Sequence, residues 1–493
     1  MDMRLVPGLA VLVLVAVLYV LAFRKAKRSR TAAALGFILL SGLILRAYLS
    51  SDRYVHDWDE RYHALVAKNL IRHPLKPTLY DQPVLPFDAR NWGGNHVWLH
   101  KQPVPLWTMA ASLAVFGINE IALRLPSLLL STLAIGLTFL IGRHLFSHKI
   151  GLLAAFLHSI HGMVIELTAG RVATDHIDLF FLVFIELAVF IAVVSWKRKS
   201  VAWDILSGVA VGLAILSKWL PALIVVPLWL ILRWKGWNWK ILGRLALLLF
   251  TIALVVVPWQ VYISARFPRE ASLEQVFNYR HITEALDGHS GRLTYHFEVM
   301  RRSYGELIFL PVLWLLLMFF RNLRSRRRLF LLVWILVPFL FFSFVKTKMQ
   351  AYTVFAAPAL FLLTAEFFYY IKRTAKKWRP RWLPAVCLLL LIALPVRYSV
   401  DRLMFFRYRP LTPAWVTGIK GLKNKLPAKT VIFNHARPIE VMFYTDYVAY
   451  QRPPSREEVA LVRQKGYAVA VVDGRGLDPF WRKEKGIILL ENR

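Results

Sequence analysis

Acidic side chains gather between residues 57 and 63 of a chain that is otherwise basic and apolar. The stretch reads Asp-Trp-Asp-Glu-Arg-Tyr-His and follows an apolar run long enough to span a membrane. Carboxylates beside a spanning segment are costly unless they face water or a site, so they indicate a function. A carboxylate next to a reacting group orients or deprotonates an incoming nucleophile. Asp57, Asp59 and Glu60 are therefore candidates for chemistry.

Other polar groups accompany these carboxylates in predicted loops and at predicted helix ends on the same face. Preorganised cations at a membrane surface bind a phosphate and stabilise it as a leaving group. With acidic and aromatic neighbours, they suit a reaction on a phosphate-linked lipid whose tail lies between apolar helices. Taken singly, each group is more simply explained by helix capping or by snorkelling to the interface. The groups are His63, His100, Lys101, Arg171, Asp175, Asp178, Lys218, His281, Lys346, Lys348 and Tyr352.

Composition indicates the class of protein. Of the 493 residues, 57% are hydrophobic, and the mean hydropathy is +0.48, which is typical of a multi-pass membrane protein. The formal net charge of +34 does not indicate nucleic-acid binding, because Lys and Arg form short clusters between apolar runs without stacking platforms. The single cysteine, Cys387, excludes an intrachain disulfide and a thiolate metal cluster.

Hydropathy predicts about twelve spanning helices. The first is predicted to be retained, because its basic cluster follows the apolar run and no small-residue cleavage site stands out. Basic clusters near 24–30, 143–149, 197–199, 233–244, 321–328 and 372–381 alternate along the predicted helices and mark the cytoplasmic face, so the acidic stretch lies outside. The helices are predicted at 5–23, 32–50, 125–146, 150–168, 176–196, 202–217, 219–233, 243–262, 305–320, 329–345, 353–371 and 382–397.

Three regions follow from this topology. Residues 1–31 form an additional N-terminal spanning helix and a cytoplasmic basic loop. Residues 32–397 form the helical membrane domain, with large external loops at 51–124 and 263–304. Within the first loop, residues 103–116 are predicted to form an interfacial helix, because a spanning helix there would reverse every later basic cluster.

The pattern changes in the third region, residues 398–493. Short apolar runs alternate there with helical stretches, which indicates a small extracytoplasmic α/β domain with an at least partly parallel sheet. The fold class is thus an all-α multi-pass membrane protein with a small C-terminal α/β domain. Strands are predicted at 429–434, 448–451, 468–473 and 486–491, and helices at 438–445 and 455–465.

Several short segments follow one another in a specific order between residues 32 and 371. They are Asp59-Glu60-Arg61-Tyr62-His63-Ala64, Leu99-His100-Lys101-Gln102-Pro103, Phe116-Gly117, Arg124-Leu-Pro-Ser, Arg171-Val-Ala-Thr-Asp175, Leu216-Ser-Lys218, Phe277-Asn-Tyr-Arg-His281 and Val345-Lys-Thr-Lys348-Met-Gln-Ala-Tyr352. In this order and on the predicted outer face they resemble the GT-C glycosyltransferases. The nearest resemblance is to the lipid A aminoarabinose transferases and the protein O-mannosyltransferases.

The resemblance implies a GT-C fold and roles for particular residues. Asp59 matches the principal catalytic carboxylate and Asp175 the second acidic residue. The remaining matches concern the substrate: Lys101, Lys346 or Lys348, and Tyr352 hold the lipid-linked phosphate, and Glu60, Arg61, Arg171 and Lys218 are further candidates for binding substrate.

The sequence also departs from the family pattern. His100 stands where the aminoarabinose branch usually has Glu, and with His281 it takes a position that can bind zinc, so a divalent metal such as zinc is the cofactor to consider. Tyr62 replaces an expected Arg, so Arg61 or Arg53 takes over its phosphate contact. Gln102 replaces a proline, which leaves the class of acceptor open.

The expected function is transfer of a sugar from a polyprenyl-phosphate donor to a lipid, glycan or protein acceptor at the outer face of the inner membrane, among membrane lipids. The alternative is a transporter or flippase for lipid or sugar. No clear internal repeat supports that alternative, and the polar groups gather on one face. A relative that has lost catalysis and serves as a binding scaffold is a third reading, which the retained Asp59 and lysines disfavour.

Overall fold

The computed structural model describes residues 5–88, 95–234, 236, 238–406, 410–474 and 477–491. The chain forms two compact units, Met1–Ser50 with Ser127–Arg409 and Ser51–Pro126 with Pro410–Arg493. The helices are α1 (Leu5–Lys27), α2 (Thr31–Leu49), α3 (Asp59–Leu70), α4 (Pro103–Phe116), α5 (Glu120–Leu145), α6 (His148–Ser159), α7 (Gly162–Thr168), α8 (Asp175–Arg198), α9 (Val201–Ile215), α10 (Val225–Arg233), α11 (Trp239–Arg266), α12 (Pro268–Thr283), α13 (Tyr295–Tyr304), α14 (Phe309–Arg321), α15 (Arg326–Phe344), α16 (Ala357–Thr374), α17 (Leu383–Leu403), α18 (Ala414–Gly421), α19 (Pro438–Tyr444), α20 (Arg456–Gln464) and α21 (Phe480–Lys483).

The first unit carries the membrane-spanning helices. Eight helices in the described part of the chain are long and apolar enough to cross a membrane, or up to ten if each of two bent helix pairs is one span. The bends are 56° between α6 and α7 and 113° between α13 and Glu306–Arg321. The shorter apolar helices α9 and Leu220–Arg233 coincide with the two remaining predicted segments. The predicted multi-pass helical architecture is confirmed.

Burial distinguishes central from peripheral helices in this unit. In α8, 83% of the spanning window is buried inside the protein, against 17% in α11. Because both helices are predominantly apolar, α8 uses its surface for packing against other helices, whereas α11 leaves most of its surface to the lipid. The polar residues at the start of α8 thereby belong to the spanning helix with the largest buried share among those described.

A buried carboxylate joins the predicted cytoplasmic ends of several helices. Asp204 of α9 accepts hydrogen bonds from the hydroxyl of Ser195 (2.6 Å), from the indole of Trp229 (2.8 Å) and from the guanidinium of Arg233 (2.8 Å). Arg244 of α11 donates to its second oxygen (2.5 Å). Part of the basic cluster that marks the predicted cytoplasmic face thus holds helices together.

The second unit contains a four-stranded parallel sheet in the order β2-β1-β3-β4. All residues of β1 are buried, and so is the centre of β3, which explains their near-continuous apolar sequences. The predicted C-terminal α/β fold is therefore confirmed, with every strand parallel. The strands are β1 (Thr430–Phe433), β2 (Val448–Ala449), β3 (Ala468–Asp473) and β4 (Ile487–Glu491).

The same unit includes the first predicted external loop. The ammonium of Lys68 in α3 donates to the carbonyl oxygens of Met442 (2.8 Å) and Thr445 (2.6 Å) at the end of α19. Val84 and Leu85 belong to the apolar core of the sheet. Residues 51–126 and 410–493 thus share one core, although the sequence assigns them to separate regions. The predicted boundary at residue 398 stays a prediction.

The second unit should loosen in acid because of His435. Its Nδ1 atom accepts a hydrogen bond from the backbone N–H of Arg437 (3.0 Å), and burial lowers the pKa of His435 from 6.5 to about 4. The folded unit favours the neutral ring. The contribution of His435 to the free energy of unfolding is therefore complete above pH 6.5 and is lost as the pH falls through about 4.

We therefore expect amides of β1 and β3 to exchange hydrogen about ten- to a hundredfold faster at pH 4 than in a His435→Asn variant at the same pH. The asparagine oxygen also accepts from Arg437 but does not titrate. Equal exchange rates in the two proteins at pH 4 and at pH 7 would contradict the assignment.

Candidate functional site

The acidic stretch begins α3 in the second unit. Trp58 precedes the helix with a φ of 70°, and Asp59 and Glu60 occupy the first turn, where the helix dipole favours negative charge. The carboxylate of Asp59 lies 3.6 Å from the ammonium of Lys101, and their side chains are 15% and 13% exposed. The structure thus brings together two residues that the sequence predicts, and both remain within reach of a ligand.

Glu60 has a different environment from Asp59. Its side chain is fully buried, and its carboxylate accepts hydrogen bonds from Arg124 Nε (2.6 Å) and from the backbone N–H of His56 (2.5 Å). Arg124 also donates to the carbonyl oxygens of Asp52 (2.6 Å) and Tyr54 (2.6 Å). This carboxylate binds the loop that precedes α3, and the predicted substrate contact of Glu60 stays a prediction.

Sequence reasoning missed the role of Arg124. It appears in the Arg-Leu-Pro-Ser segment without an assigned partner, yet it holds four groups of the acidic loop, including the ring of His56 (Nδ1, 3.0 Å). A signal was available, because a charged residue within an apolar helix requires a partner of opposite charge. The sequence alone does not identify which carboxylate that is.

Aromatic rings flank the Asp59 helix. The guanidinium of Arg61 lies 5.1 Å from the ring centre of Tyr62, which stacks on Trp98 with centroids 6.3 Å apart. The rings of His63 and His100 contact the same indole at 6.1 and 5.6 Å. Burial raises the pKa of Tyr62, so its hydroxyl stays neutral. These contacts fix Tyr62 at the position where the family pattern has Arg.

The second group of predicted residues lies in the first unit, at the start of α8. Asp178 accepts hydrogen bonds from the ammonium of Lys218 and from the hydroxyl of Thr174, whose φ is 66°. The same ammonium lies 4.7 Å from the ring centre of Tyr352. Asp175 is fully buried, and one of its oxygens accepts from the backbone N–H of His176. The structure brings Lys218 and Tyr352 together and identifies Asp178 as the partner of that lysine.

The two lysines of the 345–352 segment have opposite environments. Lys348 is 4% exposed and donates to the carbonyl oxygens of Phe342 (2.9 Å) and Ser343 (2.6 Å), so it caps the end of α15. Burial lowers the pKa of Lys348. Of these two lysines, Lys346 is exposed and Lys348 is buried. Lys348 caps the end of α15, and its predicted phosphate contact stays a prediction.

Arg171 is partly buried, and its guanidinium donates to the sulfur of Met404 (3.5 Å). Its predicted contact with substrate stays a prediction.

The two predicted zinc ligands lie in different units, and the predicted metal stays a prediction. Among the described residues, no group of three or more His, Cys, Asp or Glu side chains is arranged to hold a metal ion. His100 belongs to the second unit and His281 to the first, where its Nδ1 donates to the carbonyl of Phe277 (2.9 Å). Two histidines alone leave a zinc ion short of ligands, so no chemical step is assigned to a metal.

Known proteins resemble the chain in sequence. Residues 100–262 match the family described as dolichyl-phosphate-mannose-protein mannosyltransferase. An uncharacterised protein of Aquifex aeolicus is 27% identical over 338 residues, which are 67% of this chain and 63% of that protein. An undecaprenyl phosphate-alpha-4-amino-4-deoxy-L-arabinose arabinosyl transferase of Pseudomonas aeruginosa is 28% identical over 280 residues, 52% of this chain and 47% of that enzyme. The chain thus spans less than two thirds of either relative.

Solved structures match a larger share of the chain than these relatives do. ArnT from Cupriavidus metallidurans, bound to undecaprenyl phosphate, superposes with a TM-score of 0.62 over 90% of this chain and 88% of its own, at 16% identity. The oligosaccharyltransferase of Archaeoglobus fulgidus gives a TM-score of 0.55 over 85% of this chain and 64% of its own, at 13% identity. The resemblance found in the sequence is confirmed: the chain has the fold of the GT-C membrane glycosyltransferases and is similar in sequence to their aminoarabinose transferase and mannosyltransferase families.

Proposed function

We propose that the protein is a glycosyltransferase that moves a sugar from a polyprenyl-phosphate donor to an acceptor on the outer side of the inner membrane. The observation that carries the proposal is the pairing of Asp59 with Lys101 at 3.6 Å. It combines a carboxylate able to act on an acceptor with a cation able to act on a phosphate. The names of the relatives support a lipid-linked sugar as donor.

The reaction breaks the bond between the anomeric carbon and the phosphate oxygen, and the polyprenyl phosphate leaves with the bonding electrons. A bond forms between the anomeric carbon and the acceptor oxygen. Lys101 stabilises the charge on the departing phosphate. When the donor phosphate attracts Lys101, the ion pair between Lys101 and Asp59 weakens, and the carboxylate of Asp59 becomes a better acceptor for the acceptor's proton. If the acceptor is itself an ionised phosphate, Asp59 acts by orienting it.

Further residues of the proposal belong to the membrane unit. Lys346 is exposed, and Lys218 is held by Asp178 beside the ring of Tyr352, so these three residues are proposed to bind the donor phosphate. Asp175 is proposed to assist at the sugar or the acceptor. Arg61 and Arg171 are proposed as further contacts to the substrate. The alternation of basic clusters supports a site on the extracytoplasmic side.

Purified protein incubated with a panel of polyprenyl-phosphate sugars, including an aminopentose and mannose, tests the proposal. Mass spectrometry should find one donor whose sugar appears on a lipid, glycan or protein acceptor.

The transporter alternative predicts that the polar residues are accessible from both sides of the membrane. Cysteines introduced at Asp59, Lys101 and Lys346 in a Cys387→Ser background should react with an impermeant reagent from the outer side only, and reaction from the cytoplasmic side would favour transport.

Lys101→Gln should weaken the use of donor. Because the ammonium meets charge that develops on the phosphate, kcat/KM for the donor should fall about 100-fold, with a smaller loss in Lys101→Arg. Steady-state kinetics with varied donor measure this effect. Lys425→Gln, which removes an exposed lysine of the same unit, serves as the matched control. A Lys101→Gln enzyme with the kinetics of the Lys425→Gln enzyme would exclude the assigned role.

A further inference from the structure

A chain of alternating charges connects α19 with the acidic stretch in the second unit. The guanidinium of Arg437 donates to the carboxylate of Asp57 (2.7 Å) and to that of Glu440 (3.1 Å). The same Glu440 oxygen accepts from Arg61 (3.4 Å). Asp57 and Arg61 lie on either side of Asp59 in the sequence. Two residues of the C-terminal segment thus hold the residues that flank the proposed catalytic carboxylate.

The two ends of this chain differ in their surroundings. Glu440 is fully buried, whereas the side chain of Asp57 is 62% exposed. An exposed ion pair contributes little to stability, but a buried carboxylate between two guanidinium groups is held firmly, because its desolvation is compensated only while both partners stay in place. Glu440 is therefore the member of the chain that determines where Arg61 lies.

The Arg61–Glu440 pair is also incomplete. Among the described residues, neither Arg61 Nε nor the second oxygen of Glu440 has a hydrogen-bond partner, although both atoms are buried. A two-bond pair between guanidinium and carboxylate is stronger and more directional than the single 3.4 Å contact seen here. Arg61 Nε and the second oxygen of Glu440 are the donor and acceptor that a two-bond pair would use.

Other contacts fix α19 relative to α3. Lys68 donates to carbonyl groups at the end of α19. The hydroxyl of Tyr444 accepts from the backbone N–H of Val55 (2.9 Å) and donates to Glu120 (2.7 Å). Residues on both sides of the acidic stretch are thereby bound to one short helix. Such support restricts the positions that a functional side chain adopts.

We infer that α19 is a positioning element of the active site and that Glu440 is a positioning residue for Arg61, and through it for the group that Arg61 contacts. This inference rests on the proposed function. It gives the C-terminal domain a part in the transfer reaction itself, in addition to any recognition of the acceptor.

The test compares Glu440→Gln, Arg61→Gln and the double variant in the full-length protein. Glu440→Gln should lower kcat/KM about 10- to 100-fold by misplacing Arg61, and it should add no further loss in the Arg61→Gln background. Glu440→Asp should recover part of the activity. Glu457→Gln, which changes an exposed glutamate in the first turn of α20, should behave as wild type.

The outcomes separate the two proposals. Absence of transfer by the wild-type protein contradicts the proposed function. If the wild type is active and the Glu440→Gln enzyme is unimpaired, the inference is overturned and the proposed function stands. The same holds if the losses of the two single variants add independently in the double variant. A fall in activity that only parallels a fall in unfolding temperature also overturns it. If Glu440→Gln does not fold, Glu440→Asp and Arg437→Lys keep the charges and carry the same comparison with Arg61→Gln.

Discussion

Asp59→Asn is expected to lower the turnover number for sugar transfer by about 10²- to 10⁴-fold and to leave the protein folded. The amide keeps the size of the side chain at the start of α3 but accepts no proton at neutral pH. Asp59 pairs with Lys101 at 3.6 Å and is not a member of the fully buried Glu60–Arg124 pair, so the cost in stability should be smaller than that of breaking the Glu60–Arg124 pair. Initial rates at saturating donor, with thermal unfolding of the same preparations, measure both quantities.

Asp478→Asn is the matched control for this experiment, because it makes the same chemical change at an exposed position of the same unit. Its rate should equal that of the wild type. Near-normal transfer by a folded Asp59→Asn protein would remove Asp59 from the mechanism. In that case Asp175 becomes the principal candidate, since the carboxylate of Glu60 is paired with the guanidinium of Arg124.

Arg124→Met should have the largest effect on stability. The substitution leaves the carboxylate of Glu60 buried without its guanidinium partner, and breaking a buried pair in this way costs about 3–5 kcal/mol. The carbonyl oxygens of Asp52 and Tyr54 lose donors as well. Denaturant unfolding in detergent should show the loss, and hydrogen exchange should rise first in residues 52–60.

A double variant distinguishes the effect of the unpaired buried charge on stability from the effect of lost packing. Arg124→Met with Glu60→Met removes both charges, and replacing a buried ion pair with apolar groups is often neutral or stabilising. The double variant should therefore be more stable than Arg124→Met alone. If it is equally unstable, the buried charge of Glu60 is not the cause of the loss. Arg143→Met, which changes an exposed arginine at the other end of the same helix, is the control.

Local sequence patterns account for the elements that were predicted well. Each predicted spanning segment coincides with a helix or a bent helix pair, because an apolar run of sufficient length is itself the signal. β3 was predicted with its observed bounds at 468–473. β2 is shorter than predicted, Val448–Ala449 instead of 448–451, since the end of an edge strand depends on its single neighbour. The proximity of Asp59 and Lys101 agrees with the family pattern.

Tertiary contacts account for the features that the sequence did not predict. Glu60 and Arg124 are 64 residues apart, and their pairing depends on how the loop returns to α5. Lys346 and Lys348 have the same side chain and lie two positions apart, so the sequence does not distinguish them. The backbone path between α15 and the following turn determines that Lys346 is exposed and that Lys348 caps a helix. The joining of residues 51–126 with the C-terminal sheet likewise depends on apolar contacts between distant segments.

The most direct test of the proposed function is the stoichiometry of the reaction in proteoliposomes that contain the purified protein, an isotopically labelled polyprenyl-phosphate sugar and the identified acceptor. Free polyprenyl phosphate and labelled acceptor are measured together by mass spectrometry over time. Sugar transfer predicts one polyprenyl phosphate released for each sugar that appears on the acceptor, with both products lost in Asp59→Asn. Movement of intact donor across the bilayer without release of polyprenyl phosphate would contradict the proposed function and support a flippase.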